Sequence, residues 1–217
     1  MTPIKTTTTN TKTVFQKAPF RVLATLLLIQ GVMIGQVLLR PAAAQTGAAQ
    51  DCTKISDEPT RTACWLKKAK AGDKNLRDSW LNGVNLRNAD LSKADMTATR
   101  AVGALLSETN LTGTNLGLAH LEKADMRQAN LTGALLIGAN LTQTSLYAAN
   151  LTKANLTGAN LTKARVYQAD LRGANLTKAN LTGANLCGTN LTGANLTGAI
   201  LTGIQKDAKT KGLPPGH

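Results

Sequence analysis

The sequence contains few aromatic and imidazole side chains. Only 3% of its 217 residues are aromatic, with two each of Trp, Tyr and Phe, and there are two histidines. Apolar residues nevertheless reach 42%, most of them Leu and Ala. An ordinary globular core needs larger side chains, so this composition favours a repetitive packing of small apolar residues. Two histidines leave few candidates for imidazole-based catalysis.

Acidic side chains are also scarce. The chain has 25 Lys and Arg against 12 Asp and Glu, a formal charge of +13. Residues 1–50 contain five basic residues and no acid, so +5 of the excess lies there and the remaining +8 lies in 51–217. Such an excess is compatible with nucleic acid, anionic lipid or an acidic protein as partner, and alone it does not choose between them.

The N-terminal segment has the features of an export signal. A basic region ends at Arg21, an apolar run follows over 22–39, and Ala42 and Ala44 then provide the small residues that signal peptidase accepts. This pattern predicts a signal peptide over 1–44 that is cleaved after Ala44. An uncleaved anchor over 22–39 is the alternative, because 18 residues can nearly span a bilayer, although Gln and Gly within the run weaken it.

The predicted export bears on the roles expected for the three cysteines. Cys52 and Cys64 follow the leader with no nearby His and no CxxC pair, so metal binding is not expected. In an oxidising compartment we expect a disulfide between them, and closing so short a loop contributes about 3 kcal/mol in the chain-entropy model. Cys187 is then expected to be a free thiol.

An apolar residue, called here the centre, recurs at every fifth position from Leu76 to Leu201 without a slip in phase, giving 26 consecutive pentads. In an α-helix each step of five turns the side chain by about 140°, so the centres would spread over every face. In a continuous strand alternate centres would point to solvent. All centres share one interior only if the chain bends once per pentad, and the intervening Asn, Gly and Thr favour such turns. The period therefore predicts a solenoid.

The unit Ala-Asn/Asp-Leu-Thr-Gly/Lys resembles the pentapeptide repeat family, whose motif is A(D/N)LXX, over about 130 of the 217 residues. The resemblance implies an all-β solenoid, a right-handed quadrilateral β-helix with four pentads per coil. The 26 pentads would then form about six to seven coils, with the centre and the preceding small residue pointing inward. It also implies that a partner must bind an outer face. Ala101 is the one undersized centre, and we expect a looser coil near 99–120, with room for a bulge.

The segment 56–69 has the signals of a helix. Its first two residues are N-cap candidates, Pro59 follows in the first turn, and basic residues lie in the last turn. We expect this short helix to be an N-terminal cap, with Trp65, Leu66 and Trp80 packed over the first coil, because an uncovered coil would expose a pairing edge.

The segment after 203 has lost the period and is expected to close the other end as a turn of helix or a loop. Two covered ends predict a monomer. The predicted organisation is a signal peptide over 1–44, a linker and helical cap over 45–72, the repeat β-helix over 73–203 and a closing segment over 204–217.

The sequence predicts no catalytic, metal-binding or cofactor-binding residues. His120 stands alone on an outer position, His217 is the last residue, and no Ser or Cys is placed to complete a triad. The acids that precede the centres, Asp125 and Asp170 among them, are expected to make local hydrogen bonds. We therefore predict no enzymatic activity and no cofactor.

Nucleic acid is not predicted as a partner either. Residues 73–204 contain 12 basic and eight acidic residues, a net charge of only +4. Residues twenty apart share a column, such as Lys123 and Lys163, and the basic residues are scattered over all four faces instead of forming the stripe that phosphates require. The family also includes quinolone-resistance proteins that mimic duplex DNA and bind gyrase. That activity needs an acidic rod in the cytosol, whereas this rod is basic and exported.

Tyr147 and Tyr167 lie twenty residues apart and form the only aromatic pair of the repeats. Interfaces favour Tyr and Arg, so we interpret this column and its neighbours as a partner-binding patch. The patch consists of Arg127, Tyr147, Arg165, Tyr167 and Gln168. A purely structural ladder of stacked side chains is the alternative. Lesser candidates are apolar residues expected to be exposed, namely Leu105, Leu118, Leu135 and Ile137.

Taken together, these features predict an exported, non-enzymatic pentapeptide-repeat protein that acts as a structural scaffold and binds a protein partner. Family members are abundant in cyanobacteria and occur in lumens, so the periplasm or the thylakoid lumen would fit. The alternative function is electrostatic binding of an anionic polymer or envelope surface, which high salt would weaken steeply.

Overall fold

Two helical elements precede a long series of five-residue turns in the computed structural model, which describes residues 51–216. A 3-10 turn spans Cys52–Lys54, and helix α1 spans Glu58–Lys70. The signal peptide predicted over 1–44, the alternative anchor over 22–39 and His217 lie outside the described residues. Within residues 51–216, no helix is long and apolar enough to cross a membrane.

Helix α1 begins where the sequence provides a capping carboxylate. The Oδ2 atom of Asp57 accepts a hydrogen bond from the Thr60 N–H at 3.0 Å, which satisfies an otherwise unpaired donor of the first turn. Pro59 fits in this turn because its missing N–H is not needed there. The helix ends at Lys70 and is followed by Gly72 at φ +80°, so it lies one or two residues later than the predicted 56–69.

The remaining described residues form a ladder of isolated parallel bridges, each joining two residues about twenty apart. The first joins Asn75 to Asp95 and the last joins Asn190 to Lys211. A coil therefore takes four pentads, as predicted. Successive coils are connected by backbone hydrogen bonds at each pentad; for example, the Leu116 N–H donates to the Leu135 carbonyl at 2.7 Å. This pattern satisfies the backbone of each coil through the coils on either side of it.

The four pentads of a coil define four outer faces. We name them by their first centre: face 1 begins at Leu76, face 2 at Leu81, face 3 at Leu86 and face 4 at Leu91. In every pentad the residues immediately before and after the centre point outward, and the second residue after the centre turns the corner. Corner residues have a left-handed backbone, as at Lys123 (φ 58°) and Gly133 (φ 64°). Glycine adopts this conformation without steric cost, which explains its frequency at that position.

The interior is filled by the centres and by the small residues two positions before them. These residues are nearly all buried, from Leu76 to Leu191. Burial of each Leu side chain contributes about 1.5–3 kcal/mol relative to exposure. Some inward positions carry Thr instead of Ala, and the hydroxyl is then paired: Thr144 Oγ1 donates to the Leu121 carbonyl of the preceding coil at 2.7 Å. Such pairing allows a polar atom in this core.

The expectation of a loose or bulged coil near 99–120 is wrong. The ladder continues without interruption through Arg100 and His120, and the Ala101 N–H donates to the His120 carbonyl at 2.8 Å. Ala101 is 1% exposed. The backbone ladder and the corners set the path of the coil, so a smaller centre does not displace it. Thr99 at the neighbouring inward position is also held, since its hydroxyl donates to the Leu76 carbonyl at 2.9 Å.

Helix α1 packs against the first coil through one apolar side. Trp65 and Ala69 are buried in the same cluster as Leu76, and Leu66 is half-buried against it. Trp80, at an outward position of face 2, is half-buried and also packs against this cluster, as expected. Two guanidinium groups approach its ring, with their carbon atoms 4.2 Å (Arg61) and 5.0 Å (Arg100) from the ring centroid. Cation–π contacts, together with burial, thus connect the helix to the coils.

The sulfur atoms of Cys52 and Cys64 are bonded, with their Cα atoms 5.7 Å apart. The bond joins the 3-10 turn to α1. Cys187 is a half-buried free thiol on face 3.

The closing segment covers only part of the C-terminal end. Gln205 continues the ladder on face 3, and Lys211 continues it on face 4 after one extra residue. Faces 1 and 2 of the last coil have no following coil, and Leu196 there is half-buried. The expectation of a fully covered end is therefore wrong for face 1, whereas Leu201, the last centre of face 2, is still buried. Two consecutive prolines, Pro214 and Pro215, follow without N–H donors, so the chain cannot extend the ladder through them.

Candidate functional site

Most of the outer surface is uniform, because the residue before each centre is bonded within its own pentad. The Asn or Asp side chain accepts a hydrogen bond from the N–H two residues later, and a Thr hydroxyl often donates to the same oxygen. In one pentad Asn160 Oδ1 accepts from the Thr162 N–H at 3.0 Å and from Thr162 Oγ1 at 2.6 Å. Asp125 and Asp170 accept from the same position, which confirms the predicted local role of the acids.

Face 3 interrupts this pattern with stacked aromatic rings. The ring centroids of Tyr147 and Tyr167 lie 4.6 Å apart and the ring planes differ by 27°. The separation is close to the spacing of about 4.8 Å between neighbouring strands, so the coil geometry itself brings the rings into contact. Both side chains are half-buried. They present one flat amphipathic surface.

Arg127, which was predicted to belong to the patch, forms an ion pair with a carboxylate. Its Nε and Nη2 atoms donate to the two oxygens of Asp125 at 2.7 and 2.8 Å. Arg87 also approaches Asp125, at 3.6 Å, and donates to Ser107 Oγ at 3.0 Å. The hydrogen bond from Arg127 lowers the pKa of Asp125, so this carboxylate remains charged at neutral pH. Arg127 therefore belongs to an ion pair beside the tyrosines.

The other predicted patch residues are exposed. Arg165 lies on face 3 immediately before the centre Val166, and Gln168 lies at the next corner with φ 59°. Together with the two tyrosines, they occupy adjacent positions on three successive columns. The structure thus places Tyr147, Arg165, Tyr167 and Gln168 together.

A shallow open groove of about 600 Å³ runs along this part of face 3. Tyr167 and Arg165 line it, and so do two lysines at the preceding corner, Lys123 and Lys163. The lysines were not included in the predicted patch, although their shared column was visible in the sequence. The patch was predicted without them because the adjacency of this corner and the column of Arg165 was not taken into account.

The apolar candidates divide between two faces. Leu118, Leu135 and Ile137 are exposed by 63%, 42% and 46%, and all three belong to face 1. Leu105 is half-buried on face 3, so the expectation that it is exposed is wrong.

The titratable residues form no catalytic arrangement among the described residues. His120 Nδ1 lies 3.3 Å from Glu122 Oε1, and that oxygen accepts from the Asn140 amide at 2.6 Å. No nucleophile adjoins this pair. Residues 51–216 contain no group of three or more His, Cys, Asp or Glu side chains placed to hold a metal ion.

A second groove of similar volume lies between the end of α1 and faces 3 and 4. One of its lysines is paired, since the Lys74 Nζ atom is 3.8 Å from an Asp90 oxygen. It contains no aromatic side chain, and Ala69, Gly72 and Ala89 form part of its wall.

The fold and the surface together define a parallel β-solenoid whose distinctive side chains lie on outer faces. The Pentapeptide repeats family model matches eight copies, over residues 75–107, 102–136, 129–168 and 164–203. The chain belongs to this family, and its fold is the right-handed quadrilateral β-helix of that family. Proteins of the family are generally structural or binding proteins and not enzymes, and some are lumenal or regulatory.

Several solved structures are similar in sequence over the repeats. HetL, a pentapeptide repeat protein involved in heterocyst differentiation regulation from the cyanobacterium Nostoc sp. strain PCC 7120, is 30% identical over 64% of this chain and 92% of its own, with a TM-score of 0.30. Rfr23 from the cyanobacterium Cyanothece 51142 is 29% identical over 66% and 94%, with a TM-score of 0.26. A pentapeptide repeat protein from the Arabidopsis thaliana thylakoid lumen is 27% identical over 59% and 66%, with a TM-score of 0.22. The comparison with curated proteins finds no match.

Proposed function

We propose that this chain is an exported, non-enzymatic scaffold that binds a protein partner through face 3. The stacked pair of Tyr147 and Tyr167, with the exposed Arg165 beside it, supports this proposal most strongly. Tyrosine and arginine are the residue types that most often contribute large binding energies at protein interfaces. Their proximity here contrasts with the Asn, Thr and Gly that cover most of the other faces.

The strip formed by Tyr147, Arg165 and Tyr167 on face 3 is suited to binding because its side chains are held in place before a partner arrives. Each tyrosine ring is fixed by the other at 4.6 Å, and the underlying coils are fixed by the backbone ladder. For example, the Leu146 N–H donates to the Arg165 carbonyl at 2.8 Å. A pre-ordered surface loses little conformational entropy on association.

The proposed organisation places this strip in the middle of an exported rod. Residues 1–44 are the signal peptide, 45–72 are the linker and helical cap, 73–203 form about six to seven coils and 204–217 are a closing segment that covers part of the C-terminal end. A disulfide between Cys52 and Cys64 pins the cap, and the bonded sulfur atoms support an oxidising compartment, either the periplasm or the thylakoid lumen. The proposed solution state is a monomer.

The alternative function is electrostatic binding of an anionic polymer or envelope surface. The excess of positive charge favours it, because the chain keeps a net charge of +8 after removal of residues 1–44, which contain five of its basic residues and no acid. Binding of this kind weakens steeply as salt rises, since each contact with a phosphate or sulfate releases counterions. A contact centred on the tyrosines depends much less on salt.

Cross-linking in the native compartment, followed by mass spectrometry, tests the proposal. The wild type is compared with Tyr147→Thr/Tyr167→Thr, which restores the Thr common at these positions. A matched control is Leu135→Asn/Ile137→Thr, which removes exposed apolar area from face 1 and restores the repeat residues there. We expect the tyrosine variant alone to lose its cross-linked partner, at an unchanged melting temperature.

Two outcomes contradict the proposal. If the tyrosine variant loses thermal stability but keeps its partner, the stack is a structural ladder. If all variants keep the same cross-linked products, and these disappear only at high salt, diffuse charge accounts for binding.

A further inference from the structure

The groove on face 3 contains positive charges that no other described residue neutralises. Lys123, Lys163 and Arg165 line it and make no ion pair or hydrogen bond through their side chains within residues 51–216. The acid in the groove, Asp125, is already bonded to Arg127 at 2.7 Å and approached by Arg87 at 3.6 Å. The groove therefore favours a ligand with negative charge.

The two lysines have a defined spacing along the rod. They occupy the same corner position two coils apart, both with a left-handed backbone, at φ 58° and 55°. With about 4.8 Å per coil, their Cα atoms are about 9.6 Å apart along the axis. The tyrosine centroids, one coil apart and separated by 4.6 Å, follow the same step on this face.

This spacing matches one extended conformation of a peptide. In polyproline II the chain rises about 3.1 Å per residue with three residues per turn, so side chains three apart point the same way about 9.3 Å apart. In a β-strand, side chains on the same side recur at about 6.6 and 13 Å, which misses the lysine spacing in both cases. Two carboxylates at positions i and i+3 of a polyproline II segment would thus lie opposite Lys123 and Lys163.

The remaining groove residues suit the same ligand. Polyproline II segments bind to surfaces of aromatic side chains, and here Tyr167 lines the same groove as the two lysines. The segment has no internal hydrogen bonds, so its carbonyl groups are free to accept hydrogen bonds from the protein. Gln143 and Ser145 line the groove and carry such donors.

We propose that face 3 recognises an acidic polyproline II segment of the partner, with carboxylates three residues apart. Lys123 and Lys163 would each pair with one carboxylate, Arg165 would contact the chain beside Lys163, and Tyr167 on its Tyr147 support would pack against the prolines. This proposal rests on the proposed function and specifies the chemistry of the partner.

Synthetic peptides test the spacing directly. The first probe repeats Glu-Pro-Pro four times, the second has the same composition with all four Glu at one end, and the third replaces each Glu of the first by Gln. Tyr147 and Tyr167 are the only tyrosines of the chain, so ¹³C-tyrosine labelling gives two NMR signals that both report on this strip. We expect the first peptide to shift these signals and to bind at least tenfold more tightly than the other two.

Charge-matched variants test the residues. Lys123→Gln/Lys163→Gln/Arg165→Gln should weaken binding of the spaced peptide at least tenfold. Gln is suited to the corner because Gln143 already occupies the same corner column with φ 58°.

The control variant removes three positive charges from corners that do not adjoin the groove, through Lys93→Gln/Lys153→Gln/Lys178→Gln. These lysines are also exposed with φ of 57–58°. We expect the control to bind the spaced peptide as the wild type does.

Three results would overturn the inference: no shift with the spaced peptide, equal binding of the spaced and clustered peptides, or equal loss in the groove and control variants. The proposed function is judged separately by capture of the native partner. If Tyr147→Thr/Tyr167→Thr loses that partner and the groove variant keeps it, face 3 binds a protein, but an acidic segment is not what it recognises.

Discussion

Replacement of Ala101 by Leu should stabilise the protein, although the substitution enlarges a fully buried side chain. Ala101 is a centre, and nearly all of the other centres are Leu or Met. The ladder keeps its regular hydrogen bonds on both sides of Ala101. The Leu81 N–H donates to the Arg100 carbonyl at 2.6 Å, and the Ala101 N–H donates to the His120 carbonyl at 2.8 Å. The coils therefore have not closed around the smaller residue.

The magnitude follows from the added carbon atoms. Leu adds three carbons to Ala, and each buried CH₂ contributes about 0.8 kcal/mol, so the upper limit is about 2.4 kcal/mol. Neighbouring side chains already take part of the space, so we expect a gain of about 1–2 kcal/mol in the free energy of unfolding. Urea denaturation measures it as a higher midpoint at an unchanged m-value.

Ala124→Leu is the matched control. Ala124 is equally buried but lies two positions before its centre, where Ala or another small residue is nearly always found and the chain passes close to the next corner. Overpacking there should cost about 1–3 kcal/mol. If Ala101→Leu destabilises the protein as Ala124→Leu does, the coils have closed around Ala101 and the reasoning from the ladder is refuted.

Three further predictions concern the corners, the aspartates and the disulfide. Gly133→Ala should cost about 1 kcal/mol from its left-handed backbone alone, since nothing lies within 4 Å of the added Cβ, and Ala148→Gly should stabilise by a similar amount. Urea denaturation measures both, and a change of the same sign in the two variants would contradict this. The pKa of Asp125 is lowered in the fold, chiefly by its hydrogen bond from Arg127, so the stability it contributes is present above its unfolded pKa of about 3.9 and is lost as pH falls through the folded value. Other aspartates shift the same way, so the melting temperature should be level from pH 5 to 8 and fall below about pH 4; a fall beginning near pH 6 would point to other groups. Cys52→Ser/Cys64→Ser should lower the free energy of unfolding by about 3 kcal/mol, and identical denaturation curves with and without reductant would show that the bond does not form.

The repeat could be predicted from the sequence because its information is local. Each pentad carries its own centre, its own small inward residue and its own corner, so an unbroken period from Leu76 to Leu201 determines the path of the chain. The tyrosine stack followed from the same arithmetic, since twenty residues make one coil. Even Ala101 obeys the period, and the bulge expected there is absent because the ladder, not the size of one side chain, sets the coil.

Features that depend on contacts between different pentads or at the ends were harder to predict. Trp80 packs against the core as expected, but its contacts with two arginines, one of them from α1, could not be predicted from the repeat. The covering of the C-terminal end depends on how 204–216 turns after the period is lost, and no repeat constrains that segment.

The interruption of the consensus at residues 164–168 illustrates both cases. Ala164 and Val166 still fill inward positions and are fully buried, so the fold is unaffected. The outward residues of the same pentad, Arg165 and Tyr167, join a groove whose lysines come from other columns and other coils. The position of the patch could therefore be predicted from the sequence, but the contribution of the two lysines to its charge could not.

The most direct test of the account is the response of the two tyrosine NMR signals to the native partner. The cross-linked partner is identified, purified and added to ¹³C-tyrosine-labelled protein, with a label on Leu118 of face 1 as a reference far from the strip. If the partner binds through face 3, both tyrosine signals shift or broaden while the face 1 signal does not. Unchanged tyrosine signals with a shifted face 1 signal would show that the partner binds elsewhere and would contradict the central claim.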